Sequence, residues 1–292
     1  MVQLNELREI GTRPTDWAKN LRLSAASLIL VLWALVVFLP LAWMGICAFT
    51  PNENLLFTRP VIRFEAFSLD NLRSVFRRSN GLFDNWLFNS FYIALVVSIG
   101  STFLSAMAGY SYAKMRFPGR QVIFWILLAT LMVPYQAIVI PLFVVVNNML
   151  RLADSHWAII LPQLAAPAGV FFCRQYMKTL PSDLEDAARI DGCSEFGIFC
   201  RVILPVSRPV LAATAIFTFL WSWESFFWPL VILRSEKRFV LQVGLAYLQD
   251  NSLLSPGYLM AGALAASIPV VLFFIVFQRQ LTKGFSFGGL QG

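Results

Sequence analysis

Glu224 is the one ionisable residue inside an otherwise apolar stretch of this chain, and aromatic residues surround it. The segment 219–228 reads FLWSWESFFW and includes Trp221, Trp223 and Trp228. A carboxylate in such a place could accept hydrogen bonds from the hydroxyl groups of a substrate, while an indole ring offers a flat apolar face. The same residues are also typical of an aromatic belt in which Glu224 reaches water at a membrane interface. They are candidates for a substrate pathway, and a purely interfacial role is the alternative.

A polar segment of about two dozen residues, 180–205, interrupts the apolar sequence. Ser182 could cap a helix, and Glu185 three residues later completes the pattern of a capping box. Gly192 is expected to end this helix in a left-handed conformation, and Ser194 to cap a second one. The first helix would have one apolar side, made of Leu184, Ala187, Ala188 and Ile190. Such a unit could be a connector on a membrane surface or an element that docks on another protein, and the local sequence does not separate the two.

The composition is that of a membrane protein. Of the 292 residues, 58% are hydrophobic and 13% are charged, whereas about a quarter of the residues of a soluble protein are charged. The net charge of +7 comes without a basic cluster, so it indicates membrane topology rather than binding of nucleic acid. The four cysteines have no CxxC spacing and the one histidine, His156, cannot build a metal cluster or a catalytic triad. No metal site and no catalytic residue is therefore predicted.

Six apolar windows predict an all-α integral membrane protein with six transmembrane helices. The first window is too long for a signal peptide and has no clear cleavage site, so we expect it to be retained. Pro134 and Pro141 fall inside the third window, where they indicate a hinge or the lining of a cavity, with a static kink as the alternative. The windows cover residues 23–52, 85–113, 121–150, 155–173, 209–233 and 251–278.

The distribution of Lys and Arg predicts that both termini lie inside. With that orientation the inside segments hold fourteen of these residues and the outside loops nine. The short segment 114–120 is the most informative, because it carries three positive charges. The 180–205 segment would then face the cytoplasm, in an inside loop at 174–208 between the fourth and fifth spans.

Motifs for several enzyme classes are missing from the sequence. There is no GxxxxGK[ST] phosphate loop, no HExxH and no GxSxG. The chain is therefore not expected to hold ATP by that route or to be a membrane-embedded enzyme. We also find no clear inverted repeat of broken helices, which weakens the interpretation as a secondary transporter.

The residues Asp186-Ala187-Ala188, followed by Gly192 and by Val202-Ile203-Leu204-Pro205, resemble a signature of the permease subunits of bacterial ATP-binding cassette importers. That signature reads Glu-Ala-Ala, three residues, Gly, nine residues, an aliphatic residue, one residue and Leu-Pro. The spacing matches throughout, with aspartate in place of glutamate.

Further segments resemble the carbohydrate branch of that family, typified by the maltose-importer permeases. They include the sequences FSLDN at 67–71, WLFNS at 86–90 and AGYSYAKMRFPGR at 108–120. Two segments depart from the branch: Glu224-Ser225 replaces an Asn-acid pair, and the last four residues, GLQG, differ from the usual ending.

The resemblance implies a role for the 180–205 segment and a set of partners. The segment would be a pair of coupling helices that docks into a cleft on a cytoplasmic ATPase dimer, which binds ATP and Mg²⁺ while this chain binds no cofactor. A second homologous permease would complete the pathway, and a periplasmic or extracytoplasmic solute-binding protein would deliver the substrate. The residues implied in coupling to the ATPase are Glu185, Asp186, Ala187, Ala188, Asp191, Gly192 and Pro205.

The predicted organisation and function follow from these points. A cytoplasmic segment 1–22 precedes the first helix and a long periplasmic loop within 23–84, a five-helix permease core covers 85–278, and a cytoplasmic tail covers 279–292. The leading hypothesis is a permease subunit in a bacterial inner membrane, importing a sugar, oligosaccharide, polyol or glycerol-phosphate-type solute. The alternatives are a stand-alone ion-coupled secondary carrier that uses Glu224, and a membrane scaffold without a substrate.

Overall fold

The computed structural model describes residues 16–51, 67–78, 81–251 and 256–286, and every regular element in these ranges is helical. Most of the predicted N-terminal segment, the middle of the first loop and the last six residues, with their departure from the family ending, lie outside the described residues.

Fourteen α-helices, two 3₁₀ turns and two π-helical segments follow one another in the described ranges. The α-helices are α1 Asp16–Phe49, α2 Asp70–Arg78, α3 Leu82–Lys114, α4 Arg120–Ala129, α5 Tyr135–Val144, α6 Trp157–Leu164, α7 Pro167–Lys178, α8 Asp183–Ile190, α9 Glu195–Ile198, α10 Leu204–Val206, α11 Arg208–Trp223, α12 Phe227–Ile232, α13 Leu241–Asn251 and α14 Pro256–Ser286. The 3₁₀ turns are Thr130–Met132 and Glu236–Arg238, and the π-helical segments are Val145–Met149 and Phe199–Ile203.

Four helical stretches among the described residues are long and apolar enough to cross a membrane. They are Ser27–Phe49, Leu82–Lys114, Trp157–Lys178 and Pro256–Gln278. Two bent pairs, 120–149 and 195–223, raise the number to six if each pair is one span. The architecture is all-helical as predicted, and the count of six spans stays a prediction.

The third predicted span is bent by 102° at Val133 and Pro134. Val133 is extended, with φ −78° and ψ 121°, because the proline ring disfavours a helical conformation for the residue before it. Pro134 is the N-cap residue before α5, whereas Pro141 lies inside that helix.

The central helix α3 packs closely along α7 and α11. One face of α3 consists of small or hydroxyl-bearing residues, all buried: Ser98, Ser101, Thr102, Ser105 and Gly109. Ser98 Oγ donates to the carbonyl of Ala215 in α11 at 2.7 Å. A Cβ on Gly109 would lie 2.6 Å from Cβ of Cys173 and 2.9 Å from the backbone nitrogen of Arg174 in α7. Small residues of this kind let membrane helices approach at backbone distance.

The loop after α12 is fixed to the beginning of α3. Trp86 Nε1 donates to the carbonyl of Glu236 at 2.7 Å. Asn89 Nδ2 donates to the carbonyls of Lys237 and Phe239 at 3.0 and 2.9 Å. These bonds satisfy main-chain acceptors of a loop that has little regular structure of its own.

Asp154 joins the same loop to the turn before α6. Its carboxylate accepts hydrogen bonds from the backbone N–H groups of Arg234 and Ser235 at 2.9 and 3.0 Å, and from Ser235 Oγ at 2.5 Å. Arg238 Nη1 lies 3.5 Å from Oδ2. Partial burial alone would raise the pKa of Asp154, but the hydrogen bonds from Ser235 and Arg234 and the charge of Arg238 lower it to about 2.

Replacing Gly109 by alanine should destabilise the contact between α3 and α7. The added Cβ meets backbone atoms that cannot rotate away, and overpacking of this kind costs about 1–3 kcal/mol. The measurement is the thermal midpoint of the detergent-solubilised protein. Gly45→Ala is the matched control, because no atom lies within 4 Å of its Cβ. Equal midpoints for the two variants would contradict the close approach.

Acid should release the loop that Asp154 holds. The folded pKa of Asp154 is depressed to about 2, below an ordinary value of about 3.9. The stability that Asp154 contributes is therefore complete above about pH 4 and is lost as the pH falls through about 2. Hydrogen exchange of the Arg234 and Ser235 amides, corrected for intrinsic rates, should show this loss, and Asp154→Asn should remove the pH dependence. Protection that does not change with pH in the native protein would contradict the assignment.

Candidate functional site

The 180–205 segment folds into two short helices, α8 and α9, joined by a glycine turn as predicted. Gly192 has a φ of +79°, the left-handed conformation that glycine adopts at little cost. Its amide donates to the carbonyl of Arg189 at 3.0 Å, which satisfies an acceptor at the end of α8. No atom lies within 4 Å of a Cβ built on Gly192, so backbone conformation is the constraint at this position.

The capping box predicted for the first of these helices is wrong, and the cap predicted for the second is confirmed. Ser182 has a helical backbone, with φ −66° and ψ −25°, and its side chain makes no capping hydrogen bond. Glu185 is 3% exposed and turned inward, where it meets cations instead of the helix end. At α9, Ser194 Oγ accepts a hydrogen bond from the amide of Gly197 at 3.2 Å.

Lys114, the last residue of α3, holds Glu185 in place. Its Nζ lies 3.3 Å from Oε1 of Glu185 and donates to the carbonyl of Leu180 at 2.6 Å. Arg189 lies one turn further along α8, with Nη2 3.7 Å from Oε2 of Glu185. A carboxylate buried to this extent costs free energy unless it is paired. These two cations therefore tether α8 to the end of α3.

Arg189 also joins α8 to α9. Its Nη1 lies 3.0 Å from Oδ1 of Asp186, and its Nε donates to Oε1 of Glu195 at 2.9 Å. Hydrogen bonding to Glu195 raises the pKa of Arg189 above its ordinary value. The hydroxyl of Tyr110 in α3 reaches Oε2 of Glu195 at 3.4 Å. The network closes between the two short helices and the end of α3.

The apolar residues of α8 are divided between two faces, so the prediction of a single apolar side is wrong. Ala188 is 7% exposed and packs into the buried cluster at the end of α3. Leu184, Ala187 and Ile190 are spaced three residues apart and are exposed, Ile190 to 87%. Three exposed apolar residues that lie side by side along a surface helix are typical of a contact site for another protein.

Two further residues were predicted to couple to an ATPase, and both are exposed. Asp191 lies at the end of α8, where its amide donates to the carbonyl of Ala187 at 3.0 Å. Pro205 lies in α10. Their roles, like those of the other residues of this set, stay predictions.

The aromatic segment is separated into buried and exposed residues. Trp223 and Trp228 are 2% and 1% exposed, and Trp228 Nε1 donates to the carbonyl of Ala158 at 2.9 Å. Trp221 is 73% exposed, and Glu224 is exposed at the C-terminus of α11. Among the described residues the carboxylate of Glu224 has no ion pair, so only Trp221 and Glu224 of the four candidates present free side chains.

The two candidate sites lie at opposite ends of α3. Trp223 shares a buried cluster with Phe83 and Trp86 in the first turns of this helix. The 180–205 segment contacts Tyr110 and Lys114 in its last two turns. With 33 residues, α3 is about 50 Å long. The loop predicted outside at 234–250 contacts the first turns of α3 through Glu236, and the loop predicted inside at 174–208 contacts its last turns through Glu185. Which side of the membrane each loop faces stays a prediction.

Sequence reasoning did not identify Lys114, Arg189 or Glu195 as part of the site. Arg189 has a local signal, since it follows Glu185 by four residues and Asp186 by three. Lys114 has none, because its contact with Glu185 joins two segments far apart in the chain.

Comparison with known proteins gives the family. Residues 101–286 match the family described as binding-protein-dependent transport system inner membrane component. The arabinooligosaccharides transport system permease protein AraQ of Halalkalibacterium halodurans is 40% identical, over 89% of this chain and 93% of that protein. The lactose transport system permease protein LacG of Rhizobium radiobacter is 34% identical, over 88% and 92%. The sn-glycerol-3-phosphate transport system permease protein UgpE of Pectobacterium atrosepticum is 31% identical, over 87% and 92%.

The fold has a close counterpart among solved structures. A chain from the crystal structure of a bacterial ABC transporter involved in the import of the acidic polysaccharide alginate superposes with a TM-score of 0.78 at 21% identity, over 92% of this chain and 99% of that one. The predicted all-α membrane fold is confirmed by this likeness, and the relatives are transport subunits rather than enzymes. The chain belongs to the family of inner membrane components of binding-protein-dependent transport systems, as the residues of its 180–205 segment predicted.

Proposed function

We propose that this chain is the permease subunit of an ATP-driven importer for a carbohydrate or a related solute, such as an oligosaccharide, a polyol or a glycerol-phosphate-type compound. It forms half of the pathway with a second homologous permease. A separate cytoplasmic ATPase dimer binds ATP and Mg²⁺, and an extracytoplasmic solute-binding protein delivers the solute. The chain lies in a bacterial inner membrane with both termini in the cytoplasm.

The observation that carries this proposal is the exposed row of Leu184, Ala187 and Ile190 on a helix that is fixed from behind. The opposite side of α8 is held by the buried pair of Glu185 and Lys114. A rigid helix with an apolar outer face and a small residue in its middle suits insertion into a cleft of a partner. The row is the docking face for the ATPase.

The ion pair between Glu185 and Lys114 connects the docking face to a membrane-spanning helix. Lys114 is both the partner of Glu185 and the last residue of α3, so a displacement of α8 acts on the end of a membrane-spanning helix. The close contact between Gly109 and α7 leaves little room for these helices to slide independently. Closure of the ATPase dimer therefore moves α3 and α7 together.

The class of solute is supported by the relatives and by the accessible side chains at the other end of α3. The relatives transport arabinooligosaccharides, lactose and sn-glycerol-3-phosphate, according to their names. Trp221 offers an exposed indole face and Glu224 an exposed carboxylate, which suit the apolar faces and the hydroxyl groups of sugars respectively. Trp223 and Trp228 support this end of the pathway through packing.

Removing the cation that pairs with Glu185 should loosen the docking face. Lys114→Ala leaves the buried carboxylate with Arg189, 3.7 Å away, as its remaining cation. Breaking a buried ion pair costs about 3–5 kcal/mol. The thermal midpoint of the solubilised protein should fall, and less ATPase should co-purify. Lys178→Ala is the control, because Lys178 is an exposed lysine at the same end of the bundle. The double variant Lys114→Met with Glu185→Met should recover part of the loss, and no difference between Lys114→Ala and the control would contradict the tether.

Filling the docking face should uncouple the subunit from its ATPase without unfolding it. Ala187→Trp adds bulk to an exposed position, and losing a contact worth about 2 kcal/mol weakens the ATPase complex about 30-fold. Binding of the purified ATPase and solute-stimulated ATP hydrolysis are the measurements. Ala187→Ser, which keeps the side chain small, is the matched control.

The outcome also separates the importer from a stand-alone carrier. An ion-coupled carrier would take up solute into vesicles that contain no ATPase, and Glu224→Gln would abolish this uptake. If that is observed, and Ala187→Trp transports normally, the chain is a carrier and not an importer subunit. Stimulation of ATP hydrolysis by a panel of sugars, polyols and glycerol phosphates, each with the binding protein present, identifies the solute.

A further inference from the structure

Arg174 is a buried cation without a carboxylate partner in the described part of the chain. It is 4% exposed and lies in α7, near the cytoplasmic end predicted for this span. Nε donates to the carbonyl of Tyr112 at 3.3 Å, and Nη2 to Oε1 of Gln121 at 3.4 Å. The guanidinium carbon lies 3.8 Å above the ring of Phe124. These contacts are with neutral groups, and burial of a full positive charge costs free energy that they offset only in part.

A second cation near Arg174 increases this cost. Arg120 lies close enough for the two like charges to act on each other unfavourably. Its Nη1 donates to the carbonyl of Met115 at 2.7 Å, again a neutral partner. Arg116, in the same short turn, is exposed. Because α4 begins at Arg120, the positive end of its helix dipole lies here too.

Three other basic residues of the described chain lie beside carboxylates. Lys114 lies 3.3 Å from a carboxylate oxygen of Glu185, Arg189 3.0 Å from one of Asp186, and Arg238 3.5 Å from one of Asp154. The group of Arg116, Arg120 and Arg174 has no ion pair with any described carboxylate. Arg116 is exposed and Arg120 half-exposed, whereas Arg174 is buried, so an anion bound at this group would pair with a positive charge that water does not reach.

The surroundings of the three arginines are those of a membrane boundary. The turn connects Lys114, where the α3 span ends, to α4, the first half of a bent span. The side chains that follow on α4 are apolar and exposed, with Val122 at 63%, Trp125 at 59% and Ile126 at 61%. A charged site that borders directly on exposed apolar residues and an interfacial tryptophan suits a molecule with an anionic head and an apolar tail.

We propose that Arg116, Arg120 and Arg174 form a binding site for the phosphate of an anionic phospholipid headgroup, with the acyl chains lying along Val122, Trp125 and Ile126. Arg174 is the fixed member, since its side chain is held by Tyr112, Gln121 and Phe124. Arg120 and Arg116 are the accessible members that close on the phosphate. The site lies at the end of α3 and α7, so an occupied site stiffens the part of the bundle that bears the tether to α8.

The test is lipid binding by the full-length purified chain in detergent. Native mass spectrometry with dioleoylphosphatidylglycerol should show tighter binding than with dioleoylphosphatidylcholine. Each of Arg116→Gln and Arg120→Gln should weaken the binding of the anionic lipid about fivefold, which corresponds to the contribution of one basic residue near a membrane surface. Arg73→Gln, which removes an exposed charge in α2 at the other end of α3, should leave it unchanged.

Three results with the isolated chain would overturn the proposal. The first is equal binding of the anionic and zwitterionic lipids, and the second is an effect of Arg73→Gln as large as that of Arg120→Gln. The third is displacement of phosphatidylglycerol by millimolar inorganic phosphate, which would make the site one for a free anion. The same titration on the assembled transporter tests whether an acidic side chain of a partner subunit occupies the site instead. Selectivity for the anionic lipid that is retained after assembly supports the proposal, and selectivity that disappears overturns it. Arg174→Lys, which keeps the buried charge, should retain selectivity, so the test does not depend on a variant that fails to fold.

Discussion

A carboxylate buried at the end of a membrane helix needs a cation beside it, and this requirement determines the geometry of the 180–205 segment. Glu185 occupies the inward side of α8, so Leu184, Ala187 and Ile190 necessarily point outward. An ordinary surface helix would bury its apolar side and expose its acid. The reversal is stable because Lys114 is within 3.3 Å and Arg189 within 3.7 Å of the carboxylate.

The ion pair between Glu185 and Lys114 joins α8 to a group of tightly packed helices. Gly109 on α3 lies at backbone distance from α7, and Ser98 on the same face donates a hydrogen bond to the main chain of α11. Such contacts have little tolerance for sliding, because a shift of a few tenths of an ångström already makes atoms overlap. The bend at Pro134 lies outside this packed group, in a segment whose side chains are largely exposed.

Local features of the site could be predicted from the sequence, and features set by distant contacts could not. The turn at Gly192 and the cap at Ser194 depend on backbone chemistry within a few residues, and both are confirmed. The cap at Ser182 failed because its partner in the pattern, Glu185, is paired with a residue of another helix. A single sequence carries no signal for the pairing of Glu185 with Lys114. The same pairing turns Glu185 inward, which is why the hydrophobic periodicity of α8 wrongly predicted one apolar side. The helical membrane fold was predictable because long apolar windows leave the backbone few other structures.

The exposed and buried members of the aromatic segment show how one sequence pattern can serve two purposes. Trp228 donates to a main-chain carbonyl of α6, and Trp223 packs against the beginning of α3, so both are required by the fold whatever the solute. Trp221 and Glu224 are exposed and make no comparable packing contact among the described residues. If α3 transmits motion from the 180–205 segment, Trp223 moves with the first turns of this helix and carries its neighbour Glu224 along. The end of the pathway where a solute would be held is thereby linked through about 50 Å of helix to the face where an ATPase would dock.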